Sequence, residues 1–181
     1  QDFSLSASPG SQTVFQGSST SYTVTLGTVT GFPVPVTLSL ASGLPTGATA
    51  GFSQSSVTPP GTSTLTITTS STTPTGSYTL VIQGIGGGQT HIAGVTLVVA
   101  PPPDFTMSVS PGSQSIPQGS ATSYTVTLGR DSGFTSSVTL SVISGLPSGA
   151  TASPFSSNPV TFPAFNTSAT STFTVTTSST T

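Results

Sequence analysis

The stretch Asp2–Leu26, DFSLSASPGSQTVFQGSSTSYTVTL, returns at Asp104–Leu128 as DFTMSVSPGSQSIPQGSATSYTVTL, 102 residues further along the 181-residue chain. Within it, Ser21–Leu26 alternates between hydroxyl and apolar side chains, so that one tyrosine, one valine and one leucine share a face. Successive side chains of a strand point to opposite faces, and this alternation therefore predicts a half-buried antiparallel β-strand. The same period recurs along most of the chain, and no long stretch has helical spacing. We predict an all-β protein.

The repeat has the size of a domain. It continues from Gly43–Ala50 (GLPTGATA) to Gly145–Ala152 (GLPSGATA) and ends where Thr69–Thr73 matches Thr177–Thr181. The segment Pro74–Val99 of the first copy has no counterpart in the second. A period of about 100 residues fits a whole domain rather than one turn of a solenoid. We therefore predict a first domain over residues 1–100, a proline linker over 101–103 and an incomplete second domain over 104–181.

Turn-forming residues divide both copies into short strands. Glycine, proline and serine recur about every 8 to 12 residues, a spacing typical of a β-sandwich. In the first copy we predict seven strands, at 3–8 with 13–15, 20–26, 34–40, 48–52, 62–69, 77–83 and 90–99. In the second we predict five, at 105–110 with 114–116, 123–128, 138–142, 150–155 and 171–177. The three prolines of the linker fix the backbone in an extended form, so we expect a stiff connector.

Charge is almost absent from this sequence. Charged residues make up 2% of the chain, against about 25% in an ordinary soluble domain. Binding to nucleic acid or to an anionic membrane depends on basic side chains that release counterions, so we expect neither partner. There is no cysteine and there are only three carboxylates, so no disulfide, metal site or cofactor is predicted. No apolar run approaches the roughly 18 residues of a membrane span. We expect an extracellular or cell-surface protein without membrane insertion.

Serine and threonine hydroxyls must supply the solubility that charges supply elsewhere. A net charge near zero promotes association. Either the chain associates, or its hydroxyls carry a bulky hydrophilic group such as O-linked glycan, and the two are compatible. Asn166-Thr167-Ser168 forms an N-x-S/T sequon, which makes Asn166 a candidate site of N-glycosylation.

A wider pattern carries a family resemblance. The segments DFSLSxSPGSQTV, GSxTSYTVTL, SGLPxGATA, STLTITTSS, TPTGSYTLVI and THIAGVTLVV together resemble the bacterial immunoglobulin-like repeats found in tandem in secreted and cell-surface proteins. Such repeats also follow the catalytic domains of extracellular peptidases and other hydrolases. The resemblance implies two tandem immunoglobulin-like β-sandwiches, the second without its last two strands, F and G. It also implies that Tyr78 is the tyrosine corner of the first sandwich.

Catalytic residues are too few for an active site. His91 is the only histidine, and a Ser-His-Asp triad would have to pair it with Asp2 from the far end of the first copy. We expect His91 to open the last strand and face solvent. The run Gly84–Gly88 resembles a phosphate-binding loop only superficially, because it joins two strands and opens no helix. We predict a hairpin there and a protein that is not an enzyme.

Five residues are candidates for contact with a partner or ligand. Most aromatic residues occur at matched places in both copies and are predicted to be core, whereas three phenylalanines have no match. Two of these lie on an insertion peculiar to the second copy, where stacking on a sugar or contact with a protein is plausible. The pair Arg130-Asp131 replaces Thr28-Val29 and is either a local turn pair or an intersubunit contact. The candidates are Phe15, Arg130, Asp131, Phe162 and Phe165.

The incomplete second copy suggests a structural function. Without F and G, a five-stranded sandwich would expose the core faces of Val126, Leu140, Val142 and Phe173, and unpaired strand edges favour assembly. We expect a homo-oligomeric, head-to-tail fibre, pilus-like filament or surface stalk closed by strands from a neighbouring subunit. Equally open is a longer array of repeats in which the chain itself continues into F and G. The alternatives are an adhesin or carbohydrate-binding module with glycan partners, and a spacer repeat of a secreted hydrolase.

Overall fold

The computed structural model describes residues 1–164 and 166–179, which form two compact units divided between Pro102 and Pro103. Nine strands make up the first unit: β1 Phe3–Ser8, β2 Ser11–Phe15, β3 Ser19–Thr28, β4 Val36–Ser42, β5 Thr49–Phe52, β6 Ser56–Val57, β7 Gly61–Thr68, β8 Gly76–Gly86 and β9 Gln89–Ala100. Four strands lie in the described part of the second: β10 Asp104–Ser110, β11 Ala121–Asp131, β12 Thr151–Ala152 and β13 Ser168–Thr176. The structure is all-β, as the sequence predicts.

The first unit is a sandwich of two sheets with the strand order of an immunoglobulin domain. One sheet runs β1-β3-β7-β5 and the other β2-β9-β8-β4-β6. The chain changes sheet at Pro9-Gly10: β1 pairs antiparallel with β3, and β2 pairs parallel with β9. The four-stranded sheet corresponds to strands A, B, E and D, and the other carries G, F and C. The predicted immunoglobulin-like fold class is confirmed.

Alternation along each strand builds the core between the two sheets. On β3 the apolar residues at positions 22, 24 and 26 are at most 1% exposed, whereas the hydroxyls between them face solvent. Opposite them, Leu80, Ile82 and Leu97 on β8 and β9 are fully buried. Each such side chain contributes about 1.5–3 kcal/mol by leaving water. The β8–β9 pair therefore supplies one wall of the core.

A two-residue turn at Gly87-Gly88 joins β8 to β9. Gly86 pairs with Gln89 across the end of the ladder, and the two turn residues have φ values of 54° and 79°. Positive φ at both positions is the requirement of a type I′ turn, which glycine meets without strain. The glycine-rich run is thus a hairpin, as predicted.

The second unit repeats the first sheet of the first unit. Its order is β10-β11-β13-β12, and its register matches residue for residue: Ser110 pairs with Thr125 as Ser8 pairs with Thr23. A buried serine also occupies the same position in both units. The hydroxyls of Ser63 and Ser171 each donate a hydrogen bond to the backbone carbonyl oxygen of a nearby loop residue, at 2.7 and 2.8 Å. Within residues 103–164 and 166–179, no strand corresponds to β8 or β9.

One predicted strand of the second unit, and the predicted continuation of another, are not formed. Residues 138–142 make a single bridge, Val138 to Val160, and residues 114–116 have no ladder partner in the described structure. The physical reason is visible in the first unit, where β4 forms its ladder with β8, and β2 pairs only with β9. Without those two neighbours, the matching segments keep an extended course but lack a sheet to join.

A threonine closes the end of the matching sheet in each unit, buried in the first unit and half-buried in the second. The Thr69 hydroxyl accepts a hydrogen bond from the Ser18 amide at 3.2 Å and donates to the Ser18 carbonyl oxygen at 2.9 Å. Thr177 bonds the Ser120 carbonyl oxygen at 3.0 Å in the same way. Replacing Thr69 with valine removes the hydroxyl bonds, while the Ser18 amide keeps the Phe15 carbonyl oxygen and the Ser18 carbonyl oxygen keeps the Thr69 amide. We expect the free energy of unfolding of the first unit to fall by about 0.5–1.5 kcal/mol.

Urea denaturation followed by NMR signals of the first unit measures this loss. Thr66→Val is the matched control, because Thr66 lies on the exposed face of β7 and a surface substitution changes stability by about 0.5 kcal/mol or less. Equal effects of the two substitutions would show that the Thr69 hydroxyl does not stabilise the sheet end.

Candidate assembly site on the second unit

The same sheet face is covered in the first unit and uncovered in the second. In the first unit, Leu5 and Ala7 on β1 pack against the core beneath the other sheet. Their counterparts on β10, Met107 and Val109, are 61% and 45% exposed. The difference arises because the described second unit has no counterpart of β8 and β9 to cover this face. We define the open face as Met107, Val109, Tyr124, Val142, Phe173 and Val175.

One end of the second unit is nevertheless closed. Val126 and Leu140, which the sequence analysis expected to be exposed, are only 4% and 7% exposed. They belong to a small core with Leu128, Val138 and Val160, and five phenylalanines pack against it: Phe105, Phe134, Phe155, Phe162 and Phe173. The insertion that carries Phe162 packs against this end, which the repeat does not predict. Val142 is 37% exposed and Phe173 is half-buried, as expected for residues of an open core.

An asparagine side chain holds the segment 138–142 in place. The Leu140 amide donates to Asn158 Oδ1 at 2.9 Å, and Asn158 Nδ2 donates to the Leu140 carbonyl oxygen at 2.8 Å. Together with the Val138–Val160 bridge, these bonds satisfy the backbone on one side of the segment. Its other side is the one that faces β8 in the first unit, where Thr37 and Ser39 pair with Ile85 and Gln83.

Two backbone edges border the open face. Thr139 and Ser141 match Thr37 and Ser39, and no backbone partner for either exists in the described part of the chain. On the opposite border, residues 113–116 match β2 and likewise lack backbone hydrogen bonds among the described residues. Unpaired amides and carbonyls along an apolar face form a template for an additional strand.

A tyrosine hydroxyl marks the difference between the units at atomic detail. Tyr22 is 1% exposed, and its hydroxyl donates to the Thr96 carbonyl oxygen of β9 at 2.7 Å. Burial raises the pKa of Tyr22 above its ordinary value. Tyr124 occupies the matching position, half-buried and stacked on Phe173 at a centroid distance of 5.4 Å. Its hydroxyl has no hydrogen-bond partner in residues 1–164 and 166–179.

A pair of matched glycines shows where space remains. Gly43 has a φ of 92°, and a Cβ atom built on it would lie 1.9 Å from the carbonyl oxygen of Thr79 in β8. Gly145 has nearly the same φ, 90°, but a Cβ atom there would meet no described atom within 4 Å. Strand β8 passes directly over Gly43, and the corresponding path over Gly145 is clear.

The open face contains two adjoining clefts of about 330 and 240 Å³. Tyr124 and Val142 line the larger, Val109 and Met107 the smaller, and Phe173 contributes to both. No charged side chain lines either cleft. An occupant of this face must therefore be apolar on the side that it presents, and uncharged there.

The other candidate contact residues are separate from the open face. Arg130 and Asp131 form no ion pair in the described structure, because neighbours on a strand point to opposite faces. The Arg130 guanidinium lies 5.1 Å from the Phe162 ring centre, and Asp131 accepts a hydrogen bond from the Ser132 hydroxyl at 3.2 Å. The prediction of a local turn pair is wrong. Phe162 itself packs edge-on against Phe134 at 5.9 Å.

Four further predicted residues have simpler surroundings. Phe15 lies at the end of β2 and is 37% exposed. Asn166 is exposed in the turn before β13, where its backbone N–H donates a hydrogen bond to the Pro163 carbonyl oxygen. The Tyr78 hydroxyl donates to the Pro74 carbonyl oxygen at 2.9 Å, which is the hydrogen bond of a tyrosine corner. Phe165 lies outside the described residues.

A histidine–aspartate pair was missed by sequence reasoning. His91 Nε2 and Asp2 Oδ1 are 2.7 Å apart, and the His91 ring packs edge-on against Phe3 at 4.7 Å. Residues 89 apart meet because β1 and β9 lie side by side at the rim of the sandwich. The hydrogen bond from His91, followed by that from the Phe3 amide, lowers the pKa of Asp2 below 3.8. The pair joins the two sheets of the first unit.

The described residues offer little else for chemistry. Within residues 1–164 and 166–179, no three histidine, cysteine or acidic side chains are grouped as metal ligands. No helix long and apolar enough to cross a membrane is present in the same residues. The groups of the open face and its borders are suited to pairing strands and burying apolar surface.

Comparison with known proteins gives distant structural similarities. No protein-family model and no curated protein sequence matches the chain. Domains 4 and 5 of the S-layer protein SbsC are similar over 53% of this chain and 50% of that one, with 20% identity and a TM-score of 0.39. A marsupial T cell receptor is similar over 99% of this chain and 88% of that one, with 17% identity and a TM-score of 0.34.

The titin domains z1z2 in complex with telethonin are similar over 96% of this chain and 79% of that one, with 16% identity and a TM-score of 0.40. Of the S-layer fragment described above, domains 4 and 5 of SbsC, the chain spans half the length. Similarities at this level assign no function.

Replacing each tyrosine with phenylalanine tests whether the open face lacks a partner. Tyr22→Phe removes the hydrogen bond to the Thr96 carbonyl oxygen, so we expect the free energy of unfolding of the first unit to fall by about 0.5–1.5 kcal/mol. In the dissociated chain, we expect Tyr124→Phe to change the free energy of unfolding of the second unit by about 0.5 kcal/mol or less. Urea titrations followed by NMR give both values. A large loss from Tyr124→Phe would mean that its hydroxyl is already bonded.

The pKa of Asp2 depends on His91, and replacing His91 tests how far this contact lowers it. We expect His91→Ala to raise this pKa toward 3.8. Because the folded-state pKa is depressed, the pair's contribution to stability is present above the unfolded value and is lost as the pH falls through the folded one. NMR titration of the Asp2 carboxyl carbon reports the shift, with Ile92→Ala as the control. An unchanged pKa in the His91 variant would show that the contact is not made in solution.

Proposed function

We propose that this chain is a non-catalytic structural subunit of an extracellular fibre, pilus-like filament or surface stalk, built from immunoglobulin-like units of the bacterial tandem-repeat type. The observation that carries the proposal is the open face of the second unit. Its apolar residues match side chains that are buried or partly buried in the first unit, and its two unpaired edges match edges that are paired there. Exposed apolar patches of this kind mark interaction sites. A subunit that leaves one sandwich open is suited to joining another.

The joint proposed here is directional. The first unit is a closed sandwich, and the described part of the second presents the open face, so the two units offer different surfaces. A contact between different surfaces of neighbouring subunits grows into a fibre unless its geometry closes a ring. Strands supplied by a neighbour would satisfy both the apolar face and the edges. We therefore propose a head-to-tail homo-oligomer.

Composition supports a place outside the cell. A chain with four charged residues depends on serine and threonine for solubility, and the exposed faces of β3 and β7 carry those hydroxyls at alternate positions. We propose that O-linked glycan occupies some of them and that Asn166 accepts N-linked glycan in a glycosylating host. The mass of the native chain, compared with the mass of the unmodified sequence, tests this part of the proposal, and equal masses would end it.

Carbohydrate binding has less support than assembly. An exposed aromatic platform is what a sugar-stacking site requires, whereas Phe162 is half-buried between Arg130 and Phe134. A passive spacer of a secreted hydrolase remains compatible with the fold but leaves the open face unexplained. Assembly accounts for more of the observed surface.

A single charge on the open face tests the proposed assembly. We expect Val109→Asp to abolish association, because burying an unpaired carboxylate in an apolar contact costs far more free energy than the contact contributes. Ile92→Asp is the matched control: Ile92 is also an exposed apolar strand residue, 65% exposed, but lies on β9 of the first unit. Analytical ultracentrifugation and electron microscopy of native material and of both variants give the readout.

Filaments or stalks from the wild-type chain and Ile92→Asp, but not from Val109→Asp, are the expected result. Monomeric native material, or equal assembly of both variants, would overturn the proposal.

A further inference from the structure

We infer that a charged corner of the second unit, formed by Asp104, Arg130 and Asp131, is a contact surface between two copies of this chain. The corner lies at the end of the β10–β11 ladder and is separate from the open face. Three of the four charged residues of the chain meet there. The inference goes beyond the proposed function, because it identifies a second surface with a different chemistry of contact.

Two aspartates oppose each other at the charged corner. Asp104 and Asp131 are direct partners in the register of β10 and β11, and both are exposed. The Cβ atoms of directly opposed residues lie about 4.5–5.5 Å apart, where like charges are destabilising. Each carboxylate accepts one local hydrogen bond through Oδ1, from the Phe105 amide and from the Ser132 hydroxyl respectively. Within the described residues, neither carboxylate is paired with a cation.

The guanidinium of Arg130 lacks an acceptor as well. Its Cζ atom lies 5.1 Å from the centre of the Phe162 ring, and the backbone amide of Arg130 donates to the Thr167 carbonyl oxygen at 2.7 Å. The Nε atom is buried and has no hydrogen-bond partner among residues 1–164 and 166–179. A guanidinium held in place with unused donors is suited to a carboxylate, which it binds through two parallel hydrogen bonds.

The matching place in the first unit carries no unpaired charge. Two neutral residues, Thr28 and Val29, stand at two of the three positions. At the third position, Asp2 is bonded to His91 at 2.7 Å. Among the described residues, charge is therefore left unpaired at the corner of the second unit and is satisfied or absent at the same place in the first.

A second copy of the chain is the partner that fits both signs of charge at the corner. A purely acidic partner would attract Arg130 but would be repelled by the two aspartates, and a purely basic partner would meet the reverse. In a two-fold contact every pairing is made twice, so each guanidinium meets a carboxylate of the other copy. Strand β10 is the outer strand of its sheet, which leaves this corner open to approach. Chains joined here form pairs, and fibres built through the open face would be linked side by side.

The single arginine of the chain gives a direct readout, because its Nε–H is one unambiguous NMR resonance. The full chain is studied with Val109→Asn, which blocks the open face with an unpaired amide and adds no charge. At about 0.01 M salt, we expect the Arg130 Nε–H and the backbone amides of Asp104 and Asp131 to shift as the protein concentration rises. At about 1 M salt the shifts should vanish, because charges are then screened within about 3 Å. An Arg130 resonance that does not respond to protein concentration would overturn the inference.

Two variants carry the two halves of the contact separately. Arg130→Gln keeps both carboxylates, and the double variant Asp104→Asn, Asp131→Asn keeps the guanidinium. Either variant alone loses both ion pairs of the two-fold contact, so its association constant should fall by about two- to thirtyfold. An equimolar mixture regains one of the two pairs, so a loss of about tenfold becomes about threefold between unlike copies. Asp2→Asn, the matched control in the first unit, removes a charge elsewhere and should leave association unchanged.

The outcomes distinguish the charged corner from the open face. A mixture that associates no better than its two components would show that the three side chains act only within their own unit, and would overturn the inference. Filaments of native material without a concentration-dependent Arg130 resonance would overturn the corner and leave the proposed function standing. A concentration-dependent, salt-sensitive resonance in a chain that forms no filaments would support the corner and overturn the proposed fibre. An equal shift on adding sodium acetate at the same carboxylate concentration would show a general anion site and overturn the choice of a second copy.

Discussion

The rest of the structure depends on the burial of one sheet face beneath a two-stranded cover. In the first unit, β8 and β9 supply Leu80, Ile82 and Leu97 to the core, accept the Tyr22 hydroxyl, and give β2 and β4 their ladders. Where that cover is lacking among the described residues, all of these features change together. The open face, the free tyrosine hydroxyl and the two unpaired edges of the second unit have one common cause.

How far the sequence predicts this fold follows from the kind of signal each residue provides. Alternation over Ser21–Leu26 and the 102-residue repeat were sufficient for the class, for every strand of the first unit except β6, and for the core aromatics of that unit. Alternation describes one strand at a time, however, and a strand also needs a neighbour. Residues 138–142 carry the right pattern but make one bridge, because the ladder partner that β4 has in the first unit is not there.

The site was predicted in outline and mistaken in detail for a related reason. The repeat comparison located the open side, but Val126 and Leu140 are buried in a core against which Phe162 packs, and Phe162 belongs to an insertion with no counterpart in the first unit. The Asn158 side chain, at the place of Ser55, adds a hydrogen bond to the Leu140 amide that the repeat does not predict. The contact between Asp2 and His91, residues far apart in sequence, was likewise outside its reach. A signal was available: the first and last strands of an immunoglobulin sandwich lie along the same rim.

A chain almost without charge is well matched to assembly through backbone pairing and apolar burial, because neither depends on ionic steering. Hydrogen exchange of native material, before and after dissociation, tests the central claim most directly. The account predicts that the amides of Thr139 and Ser141 exchange slowly in the assembled state and at the rate of unpaired amides in the separated chain. Equal, fast exchange in both states would contradict it, because the edge would then be unpaired in the assembly as well.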